Sequence, residues 1–207
     1  MESIGILAGS GWASGINLYL VTLLLGIAVR LGWSDVPEVF GRTDVMIVAG
    51  FLFAIEFVAD KIPYVDNFWD ASHTLIRPLG AGVIGAVVAG YSPSIGAAIG
   101  AAVTAALALD AHAAKASTRL VINTSPEPVS NVAVSVFEDV SVAGLILLAL
   151  KYPVVAVVVV AVLAVGAAAI TVWLWKMARR AIRRVRQTVS PRSHTRPSTV
   201  DGPRAPD

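Results

Sequence analysis

The chain has 207 residues, of which 56% are hydrophobic and only 14% are charged. A soluble domain usually carries about 25% charged residues, so this chain has too little polar surface to cover itself in water. The composition therefore predicts an all-α, polytopic transmembrane helix bundle. The absence of cysteine excludes disulfides and thiolate metal sites.

The apolar stretches predict six membrane spans, with five as the alternative. In chain order the predicted spans are residues 11–31, 45–59, 73–90, 93–122, 131–150 and 154–175. One helix over residues 73–122 would be about 75 Å long, whereas a bilayer core is about 30 Å thick. We therefore expect a break at Ser92-Pro93, with Ser92 as the N-cap and Pro93 as the first helical residue. The positive charges of the short loops barely distinguish six spans from five.

Charge divides the chain into an acidic body and a basic tail. Residues 176–207 contain nine of the 16 Lys and Arg residues, whereas residues 1–175 contain seven bases and 12 acids. We expect a transmembrane bundle over 1–175, a basic juxtamembrane helix over 176–187 and a disordered tail over 188–207. The basic run predicts a cytoplasmic C-terminus that binds anionic lipid. It lacks interleaved aromatic residues, so we expect no nucleic-acid binding.

Acidic residues recur at four-residue spacing around the second predicted span. Glu56 and Asp60 are one such pair, and Asp66 and Asp70 are another, in a predicted polar connector over 61–72. If that connector is helical, its acids share a face with the basic residues that follow. Charges inside a membrane are costly and need partners or water. The first group of candidate site residues is Glu56, Asp60, Lys61, Asp66, Asp70, His73 and Arg77.

A second polar group follows at the end of the fourth predicted span and inside the fifth. Lys115, Arg119 and Asn123 recur at four-residue spacing, so they share a helix face that could hold an anionic headgroup or phosphate. In the six-span topology this face lies on the same side of the membrane as the first group, so the opposite charges could pair. The second group of candidates is Asp110, His112, Lys115, Arg119, Asn123, Glu138, Asp139 and Asn17.

Three interpretations of these groups stay open. The bases could neutralise the acids in a structural network, or the acids could bind a hard cation or relay protons. The acids could also hold a metal-bound phosphate of a lipid substrate, with Asp66 and Asp70 as the metal ligands. We expect no cofactor, with Mg²⁺ or another hard cation as the alternative.

Small residues dominate the third and fourth predicted spans. Gly96 and Gly100 form a G-x-x-x-G pattern, which lets helix backbones approach closely in lipid. The pattern predicts either tight packing within the chain or a homo-oligomer through the Gly96/Gly100 face.

The string from Glu56 to Asp70, E-F-V-A-D-K-I-P-Y-V-D-N-F-W-D, followed by His73, Arg77 and Pro78, resembles a bacterial membrane family known as domain of unknown function 4126. The string S-G-I-N-L-Y at 14–19, the His112-x2-Lys115-x3-Arg119-x3-Asn123 pattern and the acidic pair at 138–139 also resemble that family. The resemblance covers about residues 5–170. It implies a small multi-pass protein of the bacterial inner membrane and carries no known activity.

Three functions remain as hypotheses. The first is a small transporter, channel or flippase-like protein with a carboxylate-lined polar site, which works by alternating access with a proton or cation at the acids. The second is a metal-dependent membrane enzyme that modifies lipid phosphates, and the third is a non-catalytic scaffold. The sequence shows no nucleophile–His–acid arrangement and no nucleotide-binding glycine motif, which argues against an enzyme.

Overall fold

A computed structural model describes residues 2–33, 35–90, 94–123 and 128–189. The described chain forms six α-helices and a short 3₁₀ helix, Glu38–Gly41, and it contains no strand. The helices are α1 Glu2–Arg30, α2 Thr43–Ala59, α3 Pro63–Ala89, α4 Ile95–Ile122, α5 Pro128–Lys151 and α6 Pro153–Val189.

The predicted transmembrane bundle of five or six spans is confirmed. Five of the described helices, α1 and α3 to α6, are long and apolar enough to cross a membrane. The remaining helix, α2, has 17 residues and is therefore about 25 Å long, near the lower limit for a span. The protein is thus a multi-pass helical membrane protein, and only the status of α2 separates five spans from six.

Several predicted helix boundaries are wrong. The first helix begins at Glu2 rather than near residue 11, and most of the predicted connector over 61–72 is the start of α3. Pro63 occupies the first turn of α3, where its missing N–H costs nothing. The N-cap of α4 is Ser94 rather than Ser92, and the Ser94 hydroxyl accepts a hydrogen bond from the Ala97 amide at 3.1 Å. Residues 91–93 lie outside the described chain.

The first helix is the centre of the bundle. It packs against α2, α3, α4 and α5, and its side chains Ala13, Val21 and Leu25 are completely buried. Gly15 allows the close approach of α4, because a Cβ atom at this position would overlap the Ala108 carbonyl. Many large apolar side chains of the other helices are exposed, as lipid-facing positions require.

The two glycines of the predicted oligomer face lie in different surroundings. A Cβ atom at Gly100 would lie 2.7 Å from the Ala89 Cβ and 2.8 Å from the Gly85 carbonyl oxygen, so Gly100 packs against α3 within the chain. Gly96 has open space around it apart from its own N-cap serine. The intrachain alternative accounts for Gly100, and the homo-oligomer stays a prediction.

The chain divides into two compact units, Met1–Val172 and Trp173–Asp207. In the second unit, the Arg179 guanidinium lies 3.4 Å from the centre of the Trp175 ring, a cation–π contact. The predicted disordered tail falls almost entirely on residues 190–207, which lie outside the described chain.

Candidate functional site

One face of α3 carries four buried polar side chains. Asp66, Asp70, His73 and Arg77 are each at most 3% exposed. Their spacing of three and four residues places them on one side of the helix. Because α3 begins at Pro63, before Asp66, the helix face that the sequence predicts for these acids and the basic residues after them forms without interruption. We call this row of side chains a stripe.

A matching stripe lies on α4 and faces the first. His112, Lys115 and Arg119 are at most 5% exposed, and Asn123 caps the C-terminus of the helix. The stripes meet where Arg77 Nη1 lies 2.8 Å from His112 Nδ1. The two groups of predicted site residues therefore form one cluster between neighbouring helices.

The Arg77 guanidinium joins α2 to α3. Its Nη2 donates to Glu56 Oε1 at 2.6 Å, and its Nη1 donates to Asp70 Oδ1 at 2.9 Å. Both the arginine and Glu56 side chains are completely buried. Removing one partner of such a buried ion pair is costly, because the remaining charge would have neither water nor an opposite charge beside it.

The Lys115 ammonium lies within 4.0 Å of three carboxylates. It lies 2.7 Å from Asp60 Oδ2, 3.6 Å from Glu138 Oε2 and 4.0 Å from Asp70 Oδ1. These acids come from α5, α3 and the turn between α2 and α3. One side chain of α4 thus connects four separate parts of the chain.

The Arg119 guanidinium forms a bidentate pair with Glu138. Its Nη2 donates to Glu138 Oε2 at 2.6 Å and its Nε donates to Oε1 at 3.2 Å. The same group lies 3.8 Å from Asp66 Oδ2 and 4.0 Å from Asp60 Oδ2. Its Nη1 also donates to the Asn131 amide oxygen at 2.6 Å.

These ion pairs join into one network whose formal charges do not balance. Within the described chain it contains three cations and five carboxylates, which gives a formal charge of −2. Each of four acids also keeps one buried carboxylate oxygen that accepts no hydrogen bond from the described residues. These four acids are Glu56, Asp60, Asp66 and Asp70. The network therefore has both the charge and the free oxygen atoms to take up protons or a cation.

The central helix α1 is broken beside this network. Asn17 has φ −149° and ψ 94°, which are not helical angles. Its side-chain oxygen accepts the Leu20 amide at 2.9 Å and so caps the second half of α1. In an uninterrupted helix the Leu20 amide would donate to the Ile16 carbonyl. Here the Ile16 carbonyl instead accepts a hydrogen bond from Lys115 Nζ at 3.2 Å. A discontinuous membrane helix thus directs a backbone carbonyl at a cation of the network.

His112 is held in its neutral form by its partners. An arginine only donates hydrogen bonds, so His112 Nδ1 accepts from Arg77 and carries no proton. Its proton lies on Nε2, which donates to the Thr74 hydroxyl at 3.3 Å, and that hydroxyl donates to the Asp70 carbonyl at 3.2 Å. Protonating Nδ1 would remove the contact and place a like charge beside the guanidinium.

His73 makes a different set of contacts. Its Nδ1 lies 2.8 Å from the Trp69 carbonyl, which can only accept, so Nδ1 carries a proton. In the neutral ring Nε2 then accepts the Tyr19 hydroxyl at 2.9 Å. The ring stacks on Trp69 with centroids 4.5 Å apart. Tyr19 and His73 thus form a hydrogen-bonded chain from α1 to α3.

Four other predicted site residues surround the network. Asn123 donates to Asp66 Oδ2 at 2.9 Å, and Asn17 donates to Asp139 Oδ1 at 3.0 Å. Lys61 donates to the Phe57 carbonyl at 2.7 Å, and partial burial lowers the pKa of its ammonium.

Asp110 stands apart from the other candidates. Its buried Oδ2 has no hydrogen-bond partner among the described residues, and no ion pair joins it to the network.

The predicted metal ligands Asp66 and Asp70 have other polar partners in the described chain. Within the described ranges, no group of three or more His, Asp or Glu side chains is arranged to hold a metal ion. Asp70 instead pairs with Arg77, and Asp66 lies against Arg119 and Asn123. These acids face cations and an amide rather than one another, which argues against Asp66 and Asp70 as ligands of one divalent ion.

The structure adds polar contacts that sequence reasoning did not place in the site. Tyr19 and Thr74 bind the two histidines, and Asn131 donates to the Asp60 carbonyl at 3.1 Å. A signal for Asn131 was present, because Asn131, Ser135 and Glu138 are spaced four and three residues apart on an apolar helix.

The fold and the site together define a multi-pass helical membrane protein with a buried ion-pair network. A family model described as "Domain of unknown function (DUF4126)" matches residues 4–176, and the chain belongs to this family, as its resemblance predicted. No curated protein and no solved structure matches the chain.

Proposed function

We propose that the protein is a small membrane transporter or channel in which the ion-pair network binds and releases protons as it works. The formal charge of −2 on a buried network is the observation that carries this proposal. The broken α1 supports it, because discontinuous helices commonly surround the binding sites of transporters.

The cost of burying an uncompensated carboxylate and the cost of protonating it are of similar size, which favours carboxyl groups that exchange protons over carboxylates that stay permanently charged. Leaving a carboxylate buried without a compensating charge costs several kcal/mol. Protonating an ordinary carboxyl group at neutral pH costs about 4 kcal/mol. Because neither cost is clearly the larger, a small change in the surroundings of the network shifts protons on or off. Alternating access would supply such a change.

A proton-flux measurement tests the proposal. The full chain is reconstituted in liposomes that contain a pH-sensitive dye, and a pH gradient is imposed with and without a membrane potential. We expect the protein to dissipate the gradient faster than empty liposomes, and the Glu138→Gln variant to lose most of this flux. Asp44→Asn is the matched control, because it neutralises a carboxylate in an exposed ion pair. Flux equal to that of empty liposomes would overturn the proposal.

A direct measurement of the protons supports or refutes the charge argument. We expect the infrared spectrum of the purified protein at neutral pH to show the carbonyl band of protonated carboxyl groups. The band should shift on exchange into deuterated water and weaken in Asp60→Asn. A spectrum without this band would show that the excess charge is not compensated by protons.

The alternative of a lipid-phosphate enzyme has less support. It needs Lys115 and Arg119 to hold a phosphate, and both are occupied by carboxylates at 2.6–2.7 Å. Among the described residues, no group of three or more His, Asp or Glu side chains is arranged to hold a metal ion, which gives the enzyme less support than the transporter. A divalent cation should therefore leave the thermal stability of the protein unchanged, and a Mg²⁺-dependent shift would favour the enzyme.

We also propose that the protein lies in a bacterial inner membrane with its C-terminus in the cytoplasm. The basic end of α6 supports this orientation, and its exposed Arg179, Arg180 and Arg183 suit anionic headgroups. Because the chain has no cysteine, introduced cysteines can be labelled without background. An impermeant maleimide added to intact cells should label Tyr152→Cys and not Arg183→Cys, and the reverse pattern would contradict the orientation.

A further inference from the structure

Asp110 lies deep in a membrane span and outside the ion-pair network. It is about 22 Å from the first residue of α4 and about 18 Å from the last. Both distances exceed half the thickness of a bilayer core, which is about 15 Å. The Oδ2 atom of Asp110 is buried and has no hydrogen-bond partner among the described residues. The carboxyl group therefore needs a partner that the described part of a single chain does not supply.

Asp110 lies on the outer side of α4. The side of this helix that packs in the bundle includes the buried residues Ala108 and Lys115. Asp110 follows Ala108 by two residues, a rotation of about 200° around the helix axis, so it lies on the opposite side. Ile99 and Val103 lie within about 20° of Asp110 around that axis. They are 58% and 47% exposed, so this side of α4 faces the lipid.

Lipid does not satisfy a carboxyl group at this depth. Hydrocarbon tails offer no hydrogen-bond donor or acceptor, so a polar group among them is costly. Long Lys and Arg side chains extend to the membrane surface from within a span, but the aspartate side chain is too short to do so. A second polypeptide is the remaining source of a partner.

The residues around Asp110 suit contact with a second helix. Side chains on the outer side of α4 recur at alternating spacings of three and four residues, the pattern of two helices that cross with a left-handed twist. This row consists of Ile99, Val103, Ala106, Asp110, Ala113 and Ser117. Both neighbours of Asp110 in the row are alanines, which lets two backbones approach closely enough for short polar side chains to meet. Gly96 extends the row by one step and has open space apart from its own N-cap serine.

We propose that a second copy of the chain packs against this face of α4, and that the two Asp110 carboxyl groups hydrogen-bond to each other across a two-fold axis. Two copies inserted in the same orientation place Asp110 at the same depth, so symmetry supplies the missing partner. A different protein would need a polar group of its own at that depth. With at least one of the two carboxyl groups protonated, one group donates a hydrogen bond and the other accepts it.

Counting the copies in each particle tests the inference. The full chain carries one dye on Tyr152→Cys, an exposed position in a chain that has no cysteine of its own. It is reconstituted in liposomes at falling ratios of protein to lipid, and photobleaching steps are counted for single particles. We expect two-step particles at high ratios that give way to one-step particles on dilution. One-step particles at every ratio would mean that lipid or another protein covers this face, and would overturn the inference.

Substitutions of Asp110 separate the carboxyl pair from apolar packing. Asp110→Leu should weaken the association by about fivefold to thirtyfold, the value of hydrogen bonds between membrane helices. Asp110→Asn keeps a donor and an acceptor, so it should associate as the wild type does. Because Asp110 has no described partner within its own chain, Asp110→Leu should leave the resistance to unfolding by SDS undiminished. Association of Asp110→Leu as strong as that of the wild type would overturn the inference.

Cross-linking locates the face that the second copy covers. Val103 is 47% exposed and lies in the row of Asp110, whereas Leu109 is 49% exposed and lies about 120° away from Val103 around α4. With an added oxidant, Val103→Cys should form a disulfide-linked dimer and the matched control Leu109→Cys should not. Equal cross-linking of the two variants, or the reverse pattern, would refute the proposed face. Neither measurement depends on proton flux, so this inference and the proposed function can fail separately.

Discussion

Removing the Lys115 ammonium should destabilise the protein strongly, and removing one of its carboxylates as well should restore much of the loss. Lys115→Met keeps an unbranched chain but leaves Asp60, Glu138 and Asp70 without the cation that lies 2.7, 3.6 and 4.0 Å away. Breaking a buried ion pair from one side costs about 3–5 kcal/mol, whereas replacing both partners with neutral groups is often nearly neutral. We expect Lys115→Met to lose about 3–5 kcal/mol and the double variant with Asp60→Asn to recover at least half.

The pH dependence of this loss follows from the protons that the network takes up. Without its lysine, the folded variant should bind about one proton more than the folded wild type, so its loss of stability relative to the wild type should become smaller as the pH falls. The slope is about 1.4 kcal/mol per pH unit, or about 3 kcal/mol from about pH 8 to about pH 6. Reversible unfolding by SDS in mixed micelles measures both effects. A pH-independent loss in Lys115→Met, with no recovery in the double variant, would refute the charge-balance reasoning.

Three further substitutions test the packing and the network, each by the same unfolding assay. Gly15→Ala should cost about 1–3 kcal/mol because its methyl group meets α4, whereas Gly144→Ala, which has open space, should be neutral or slightly stabilising. Asn17→Leu should cost about 2 kcal/mol, because it loses both the cap and the hydrogen bond to Asp139; a neutral result would show that the break in α1 does not depend on this side chain. Asp44→Asn, in an exposed pair, should cost less than about 1 kcal/mol, and a larger loss would contradict its surface position.

Much of the fold could be predicted from the sequence because lipid constrains it so strongly. Long apolar stretches have to be helices, and turns have to lie where Pro, Asn and charged residues accumulate. Apolar stretches alone do not predict the start of α3, because this part of the helix is polar. Residues 63–72 are polar but helical, because their polar face is buried against α4 rather than placed in lipid.

The candidate site was predictable as a set of residues but not as a set of pairs. Spacing shows that Lys115 and Arg119 share a face of α4, and charge shows that acids should lie opposite. Which acid meets which base depends on the rotation of each helix about its axis, and sequence spacing does not determine that rotation. The sequence does not predict the break in α1 for a related reason. An asparagine in an apolar stretch looks the same whether its side chain reaches another helix or, as Asn17 does, also caps its own.

Stability alone does not account for a network of this kind. Apolar side chains of similar volume would fill the space between α3 and α4 and stabilise the bundle at least as well as buried ion pairs. The network also contains more carboxylates than it needs to neutralise its cations, and structural neutralisation would favour equal numbers. Next to it, α1 gives up a helical hydrogen bond at Asn17 and presents the Ile16 carbonyl to Lys115. A surplus of acids beside an interrupted helix costs stability in two ways, and both features are useful to a protein that binds and releases charge within the membrane.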